Sequence, residues 1–342
     1  MYTLPPCIFP HPSVSQLILT GCKLVSSFYK SFTSVKIPKL TSVELQKDSV
    51  YDLVSKCPCL EELHLLHCKI PSPFFELNVP KSNLKCLVFQ SCVSNEWFDS
   101  LKHASIHIPT LLKLKYQGSF RSGYLSLYNS ENIVEAEIDI YSSPHNKQKL
   151  LCKLLMDLQS VKSLTLFSVK LEVLNRNGGI SLLAPLNNLR HLTVTVKLGQ
   201  ADKELLGLMC LLRSSPNLET LSIDFHRDLE TEDEMLSTVY NVDEEAVRQL
   251  HLLSSECVAH LMKIKINDFL GTKVEMEFVE HILRSSLCLK EMVICIRTRY
   301  YLNFAIRTEH YEALKKKSIA SLLACTRASP DARILIEGDH TY

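Results

Sequence analysis

Cysteine and histidine side chains gather most densely between residues 57 and 68, in the string Cys57-x-Cys59-x4-His64-x2-His67-Cys68. Thiolate sulfur and imidazole nitrogen are ligands that zinc prefers, so metal chemistry is the first possibility to weigh. The spacing fits no standard zinc-finger pattern. The surrounding apolar residues, described below, direct His64 outward and place Cys68 in a turn. We therefore expect no metal ion and no cofactor.

Familiar catalytic signatures are missing from the sequence. It contains no Gly-x-Ser-x-Gly, His-Glu-x-x-His, Gly-x4-Gly-Lys-Ser/Thr or Gly-x-Gly-x-x-Gly string. Only 9 of the 342 residues are glycine, which leaves little for loops that cradle phosphate groups. The sequence therefore predicts a protein that is not an enzyme.

The charge balance bears on possible partners. Lys and Arg total 38 against 37 Asp and Glu, so no overall field attracts a nucleic acid or an anionic membrane. No apolar run reaches the ~18–20 residues that span a bilayer. We expect neither nucleic acid nor membrane as a partner. Lys315-Lys316-Lys317 is either a nuclear signal or phosphate-binding patch, or the solvated face of a helix.

Cysteine usage indicates the cellular compartment. The chain has 13 cysteines, an odd number, and no Asn-x-Ser/Thr acceptor site for glycosylation. Both facts favour reduced thiols and a cytoplasmic or nuclear protein. Apolar residues make up 46% of the chain, enough for an extensive core.

An apolar triplet with the spacing i, i+3, i+5 returns along the chain. Its first positions are Val14, Leu40, Leu60, Leu84, Leu111, Ile133, Val161, Leu189, Leu218, Leu261 and Leu289. Nine of the ten intervals lie between 20 and 29 residues, the period of leucine-rich repeats. In so apolar a chain the triplet alone is weak evidence, so its neighbours carry weight.

The residues around the triplet support this interpretation. Proline stands two residues before the triplet in five of the eleven cases, where it ends the preceding segment: Pro12, Pro38, Pro58, Pro109 and Pro216. Cysteine stands eight residues after the first position at Cys22, Cys68 and Cys92. Leucine-rich repeats place Asn or Cys there, bonded to the backbone that turns after the strand.

Helical periodicity fills several intervals, as in Lys149–Leu158, Asp202–Arg213 and Val274–Arg284, with a last helix at Glu309–Ala324. One unit of strand, turn and helix cannot bury its apolar face alone, whereas stacked units share a continuous core. The predicted fold class is α/β, a leucine-rich-repeat solenoid with a curved parallel sheet on the concave side and helices on the convex side.

Three regions are expected along the chain: the solenoid over residues 1–225, an acidic insertion at 226–254, and a C-terminal module at 255–342 that continues the solenoid. The interval before Leu261 is 43 residues long and rich in Asp and Glu. This composition predicts a solvated loop or, alternatively, a docking site for a basic partner. The insertion could equally mark a domain boundary.

The C-terminal strings carry a family resemblance. Leu261-Met-Lys-Ile-Lys-Ile-Asn-Asp-Phe-Leu-Gly271 is followed by Glu277-Phe-Val-Glu-His-Ile-Leu283 and closes with Arg327-Ala-Ser-Pro-Asp331. These strings resemble the FBD module of plant F-box proteins. Cys57-Pro-Cys-Leu60-Glu-Glu-Leu63 resembles the leucine-rich part of the same family.

The resemblance implies stoichiometric binding of a protein target, as in the substrate-recognition part of an F-box (SCF-type) ubiquitin ligase. Family members usually begin with an F-box that docks on a Skp-type adaptor, but repeat-like sequence starts here at Val14. We expect that adaptor as a partner only if an F-box is encoded upstream of Met1. Two alternatives follow: the chain is either a truncated F-box protein or a paralogue without the F-box. The alternative function is a ligase-independent scaffold or competitor.

Alternation along each strand directs the residues two, four and six places after the triplet start to the open, concave sheet face. The protein-binding residues expected there are Glu62, His64, Gln90, Lys113, Lys115, Glu135, Glu137, Asp139, Thr165, Phe167, His191 and Thr193. We expect Lys113 to pair with Glu135 and Lys115 with Glu137 across neighbouring strands. Phe167 is the expected aromatic anchor. Binding through the convex loops is the alternative.

Overall fold

A computed structural model describes residues 2–3, 14–24, 34–46, 48–94, 101–118, 120–140, 147–175, 185–197, 203–226, 258–296 and 309–338. The chain forms two compact units, Met1–Val169 and Lys170–Tyr342. Apart from its first residue, the predicted acidic insertion at 226–254 lies outside the described residues. The three-region division of the chain stays a prediction.

Short parallel strands build most of the first unit. They are β1 (Tyr2–Thr3), β2 (Gln16–Thr20), β3 (Cys22–Leu24), β4 (Ile37–Thr41), β5 (Glu44–Leu45), β6 (Glu62–Leu66), β7 (Lys69–Ile70), β8 (Phe74–Asn78), β9 (Cys86–Gln90), β10 (Val93–Ser94), β11 (Leu101–His107), β12 (Lys113–Gly118), β13 (Phe120–Tyr128), β14 (Glu135–Ile140) and β15 (Ser163–Phe167). Helices α1 (Ser49–Lys56) and α2 (Lys147–Asp157) accompany them. The main sheet runs β2-β4-β6-β9-β12-β14-β15, with every neighbouring pair parallel.

The second and third triplet positions form two buried columns across this sheet. One column is Leu63, Leu87, Leu114, Ala136 and Leu164. The other is Leu65, Phe89, Tyr116, Ile138 and Leu166. Each of these side chains is at most 2% exposed. Burial of a large apolar side chain contributes about 1.5–3 kcal/mol, so a slip in register would be costly at every strand.

The prediction that Leu40 begins a triplet is wrong. In the parallel ladder Leu40 pairs with the third triplet positions of both neighbouring strands, so this repeat begins at Val35. Pro38 accordingly lies within the strand rather than before the triplet. Val43 and Leu45 follow the strand and are buried as well. Because Leu40, Val43 and Leu45 share the spacing of the triplet, the sequence pattern matches in two frames.

A residue with positive φ follows the main-sheet strand in several repeats, seven places after the triplet start. In the first unit these residues are Gly21 (67°), Ser42 (53°), His67 (53°), Ser91 (49°) and Ser168 (53°). The N–H of His67 donates to the Gln90 carbonyl oxygen at 2.8 Å, and the other described turns up to Ser91 repeat this bond. The turn leads into the small parallel sheet β1-β3-β5-β7-β10.

Two of the three cysteines predicted to bond the backbone after this turn, Cys68 and Cys92, make such bonds. Cys68 Sγ lies 3.3 Å from the Leu40 carbonyl oxygen, and Cys92 Sγ lies 3.5 Å from that of Leu65. Both side chains are buried. Burial raises the pKa of Cys92, so its thiol keeps the proton that it donates.

Strands replace helices in three connections of the first unit. β8, β11 and β13 lie between successive main-sheet strands and form a separate parallel sheet in the order β13-β11-β8. Phe75 of β8 contacts Phe89 of β9, with ring centroids 4.8 Å apart. This second sheet therefore covers the core on the side away from the open face of the main sheet.

The second unit repeats the plan with helices. It contains a 3-10 helix (Leu171–Asn175), α3 (Lys203–Arg213), α4 (Lys273–Ser285), α5 (Glu309–Ala324) and the strands β16 (His191–Lys197), β17 (Thr220–His226), β18 (Lys263–Phe269), β19 (Glu291–Ile296) and β20 (Arg333–Gly338). The strands are parallel in the order β16-β17-β18-β19-β20. β17 and β18 are thus direct neighbours although the long interval separates them in sequence.

The bounds of the predicted helices are accurate, whereas the last strand of the second unit is missed. α2, α3 and α4 begin and end within two residues of the predicted bounds. The helix predicted at Glu309–Ala324 is present as α5, but β20 follows it and was not predicted. Asp331 occupies the first triplet position of that last repeat, so the apolar pattern fails there. Among the described helices, none is long and apolar enough to cross a membrane.

Candidate functional site

The open side of the main sheet in the first unit, here called the strand face, is the candidate site. It consists of the side chains two, four and six places after each triplet start, which alternate with the buried columns. Ten of the twelve predicted binding residues lie on it: Glu62, His64, Gln90, Lys113, Lys115, Glu135, Glu137, Asp139, Thr165 and Phe167. The other two, His191 and Thr193, hold the equivalent positions of β16 in the second unit.

Two ion pairs join β12 to β14 at the centre of the strand face. Lys113 Nζ lies 2.8 Å from Glu135 Oε2, and Lys115 Nζ lies 2.6 Å from Glu137 Oε1. The parallel register places each lysine directly beside its glutamate. The predicted cross-strand pairs are therefore confirmed. The hydrogen bond to Glu135 raises the pKa of Lys113, so its ammonium group keeps its charge.

These pairs neutralise the centre of the face more than they stabilise the fold. The lysine and glutamate side chains remain 35–57% exposed, and water and salt screen exposed ion pairs strongly, so these pairs contribute little to stability. Their opposite charges nevertheless cancel over the short distances between them. A partner that covers this region consequently meets no net charge from the four side chains.

Asp139 continues the ladder with one oxygen left over. Gln117 Nε2 donates to Asp139 Oδ2 at 2.9 Å. Asp139 Oδ1 is buried and has no hydrogen-bond partner within the described part of the chain. Its register neighbour on β15 is Phe167, whose half-buried ring lies on the same face. An apolar ring thus lies beside the carboxylate, and since Asp139 Oδ1 is buried, the partly exposed ring is the group open to a partner here.

The flanks of the strand face are mixed in character. On β15, Thr165 lies beside Glu137 of β14. On β9, Val88 lies beside Lys115 and Gln90 lies beside Gln117, both of β12. On β6, His64 Nε2 lies 3.3 Å from Glu62 Oε2. The predicted residues of the first unit therefore form one continuous surface rather than scattered positions.

Sequence reasoning missed the part of the strand face on β2 and β4. Ile18 is 69% exposed at an outward position of β2, and Lys39 is exposed at the equivalent position of β4. The same alternation that identified His64 also identifies these residues. The error in the Leu40 register concealed Lys39.

The open strand positions of the second unit are more basic than predicted. Lys263, Lys265 and Arg333 are exposed there, none of which the sequence reasoning selected. His191 Nδ1 lies 2.7 Å from Thr220 Oγ1 on the neighbouring strand. Thr193 lies on the same strand two residues further along.

The thiols near these faces are poorly suited to nucleophilic chemistry. Burial raises the pKa of Cys86 in the first unit, and it raises that of Cys295 in the second unit to about 11. Cys57, from the string considered for zinc, has its pKa raised to about 12 by burial. A thiol rather than a thiolate is present at neutral pH in each case. Within the described residues, no group of three or more His, Cys, Asp or Glu side chains could hold a metal ion.

Comparison of the sequence with known proteins identifies a family for the chain. Residues 9–336 match the model for the At1g61320/AtMIF1 leucine-rich-repeat domain. The chain is 24% identical over 301 residues to the Arabidopsis thaliana F-box/LRR-repeat protein At5g54820, a match that covers 84% of this chain and 59% of the relative. Two further Arabidopsis thaliana relatives are the FBD-associated F-box protein At5g56390, at 28% identity over 291 residues, and the F-box/LRR-repeat protein At3g58880, at 30% over 303 residues.

These matches cover 84% and 81% of this chain, and 62% and 61% of the two relatives. The chain thus spans about six tenths of the length of these relatives. The crystal structure of a TLR13–ssRNA13 complex aligns with the whole of this chain and with 55% of the matched chain in that structure, at 14% sequence identity and a TM-score of 0.41. This similarity is too low to bear on function. The leucine-rich-repeat fold and the resemblance to plant F-box, FBD and leucine-rich-repeat proteins are confirmed.

Proposed function

The chain belongs to the family of leucine-rich-repeat domains of the At1g61320/AtMIF1 type, and we propose that it binds a protein partner stoichiometrically through the strand face. It would serve as the substrate-recognition part of an F-box-type ubiquitin ligase, with no catalytic residue of its own. The names of its relatives, which include F-box proteins, support this role. The adaptor of such a ligase is a partner of the whole protein and belongs to the proposal.

One observation carries the proposal. The strand face holds a charge-neutral centre next to the half-buried ring of Phe167, both mounted on strands whose inward residues are fully buried. Interfaces draw most of their affinity from a few aromatic or desolvated polar anchors within neutral surroundings. A rigid sheet also keeps these anchors in place before binding, which lowers the entropic cost of association.

The test uses two variants of the full chain that alter charge and apolar surface equally. Glu135→Lys with Phe167→Ala changes the strand face, whereas Glu131→Lys with Met156→Ala makes the same changes elsewhere in the first unit. Proteins are first captured from plant extract with the wild-type chain and with both variants. Those that the strand-face variant loses, but the control variant retains, are kept as partners. The affinity of one purified partner is then measured.

We expect the strand-face variant to bind at least about tenfold more weakly, a loss of about 1.4 kcal/mol, while the control stays within about twofold. Circular dichroism melting verifies that both variants fold. Equal affinities of the two variants would reject the strand face as the binding surface.

A second measurement addresses coupling to a ligase. Binding of a purified Skp-type adaptor to the full-length protein would support ligase delivery, whereas target binding without adaptor binding would favour the alternative role as a scaffold or competitor. We further propose a cytoplasmic or nuclear location, supported by the odd number of cysteines and the lack of glycosylation acceptor sites.

A further inference from the structure

A cleft opens on the first unit between the start of α1 and the loop that leads from β7 into β8. Its volume is about 300 Å³. Leu45, Ile70 and Phe75 form a buried apolar floor, each at most 5% exposed. The cleft therefore combines residues 45, 46 and 48–51 with residues 70–76, two segments that belong to successive repeats.

The cleft lies on the side of the unit away from the strand face. Phe75 packs on Phe89 within the core, so its neighbours Phe74 and Glu76 on β8 point outward from the opposite surface. The variants designed for the strand face leave all lining residues of the cleft unchanged. A ligand of the cleft is thus independent of the function proposed above.

Aromatic rings stand at the rim of the cleft. Tyr51 is 46% exposed and Phe74 is 55% exposed, although both are large apolar side chains. An exposed ring beside an apolar floor offers a flat surface on which a planar cation can stack. Two such rings border the same opening.

Among the described residues that line the cleft, the formal charges are negative. They come from Asp48 and Glu76, and within the described residues neither carboxylate has an ion-pair partner; Lys47 lies outside those residues. Two nearby serine hydroxyls accept backbone hydrogen bonds, Ser49 Oγ from the Gln46 N–H and Ser72 Oγ from the Phe74 N–H. The carboxylates are the strongest acceptors at the cleft for a ligand that donates hydrogen bonds.

The start of α1 opposes this charge only weakly. A helix N-terminus carries about half a positive charge, which favours anions, whereas the two carboxylates carry two negative charges between them. Asp52 in the first turn of α1 is paired with Lys56, with 2.7 Å between Oδ1 and Nζ, so this pair adds no net charge. The balance of charge at the cleft therefore favours a cation.

We propose that this cleft binds an arginine side chain presented by an extended segment of a partner protein. The planar guanidinium group stacks on Tyr51 or Phe74 while its N–H donors reach the carboxylates of Asp48 and Glu76, a combination that lysine provides less well. The aliphatic stem of the arginine covers the apolar floor.

The size of the cleft decides between a side chain and a free small molecule. Ligand sites are usually about 300–1,000 Å³, and this cleft stands at the lower limit of that range. One arginine side chain therefore fits it better than a larger compound would. The remaining affinity must then come from the segment on either side of the arginine.

The probe is the peptide acetyl-Gly-Leu-Arg-Leu-Gly-amide, titrated with the full chain by ligand-observed NMR. The same peptide with citrulline in place of arginine has the same shape without the charge. We expect the citrulline peptide to bind at least about tenfold more weakly and the lysine peptide to fall between the two. Equal binding of the arginine and citrulline peptides would overturn the proposal.

Variants locate the binding within the chain. We expect Glu76→Gln and Phe74→Ala to weaken binding of the arginine peptide several-fold, because each removes one contact of the guanidinium group. Glu131→Gln removes an exposed carboxylate elsewhere in the first unit and serves as the matched control, which should bind like the wild type. Equal weakening by Glu76→Gln and Glu131→Gln would reveal non-specific attraction and refute the cleft. Because residues 74 and 76 are exposed, both variants are expected to fold, which circular dichroism verifies.

Discussion

Glu204 provides a test of the packing between α3 and the 3-10 helix Leu171–Asn175. Its Oε2 accepts a hydrogen bond from the Leu171 N–H at 2.6 Å. Burial raises the pKa of the Glu204 carboxyl from 4.5 to about 7, an effect that backbone N–H groups of residues 171 and 172 only partly offset. The folded protein therefore binds a proton at Glu204 more tightly than the unfolded chain does.

This difference makes stability depend on pH in a definite direction. The contribution of Glu204 to the free energy of unfolding is largest below pH 4.5 and falls as the pH rises towards about 7. Above that value the contribution does not change further. At about 1.4 kcal/mol per tenfold change in proton affinity, the full effect is about 3 kcal/mol. We reduce it to about 2 kcal/mol because the carboxyl keeps part of its contact with water.

Glu204→Gln isolates this contribution. The glutamine Oε1 can still accept the Leu171 N–H, but the side chain no longer ionises. We expect the variant to gain about 2 kcal/mol relative to the wild type between about pH 4 and about pH 8, as other titrating groups are common to both proteins. Urea unfolding followed by circular dichroism at several pH values measures the difference. Glu291→Gln, which removes a carboxylate from β19 in the same unit, is the control. A difference between Glu204→Gln and wild type that stays constant with pH would refute the reasoning.

Two further predictions concern helix packing in the second unit. Gly207→Ala should lower the free energy of unfolding by about 2 kcal/mol, as measured by urea titration, because the new Cβ would overlap the carbonyl group of Leu171. This overlap outweighs the roughly 1 kcal/mol that alanine gains in helix propensity. A stabilised variant would contradict this packing. Glu275→Ala should lower the free energy of unfolding by about 3 kcal/mol, and Thr272→Ala by about 1 kcal/mol. The reason is that the buried Glu275 Oε2 accepts from three backbone N–H groups, whereas Thr272 Oγ1 accepts from one. Equal melting temperatures of the two variants would argue against the capping box.

The main sheet could be predicted because its signal is local. Each strand repeats the i, i+3, i+5 spacing, and the inward residues must be apolar wherever they occur. The ion pairs followed from the same rule, since equal positions of neighbouring repeats become direct neighbours in a parallel register, as with Lys113 and Glu135. Short-range pattern and a fixed period sufficed for both.

The features that escaped prediction depend on contacts between distant segments or on broken patterns. β8 and β11 pair with one another through residues about thirty positions apart, and nothing in their sequences sets their register. The last strand lost its signal because Asp331 replaces an apolar residue. The cleft joins segments around Tyr51 and Phe74 that come together only after the repeats stack. Likewise, the burial of Glu204 depends on its contact with Leu171, which no local spacing indicates.

The repeat separates the residues that hold the fold from those that meet a partner. An inward residue such as Leu63 is fully buried, and replacement by alanine at such positions costs about 2–5 kcal/mol. An outward residue such as Lys113 is more than half exposed, and replacement there usually changes stability by less than about 0.5 kcal/mol. The two sets alternate along the same short strand, so the strand face can change its chemistry while the columns beneath it keep their register. The same fold can therefore present different binding surfaces, and the identity of the partner must be found in the outward positions.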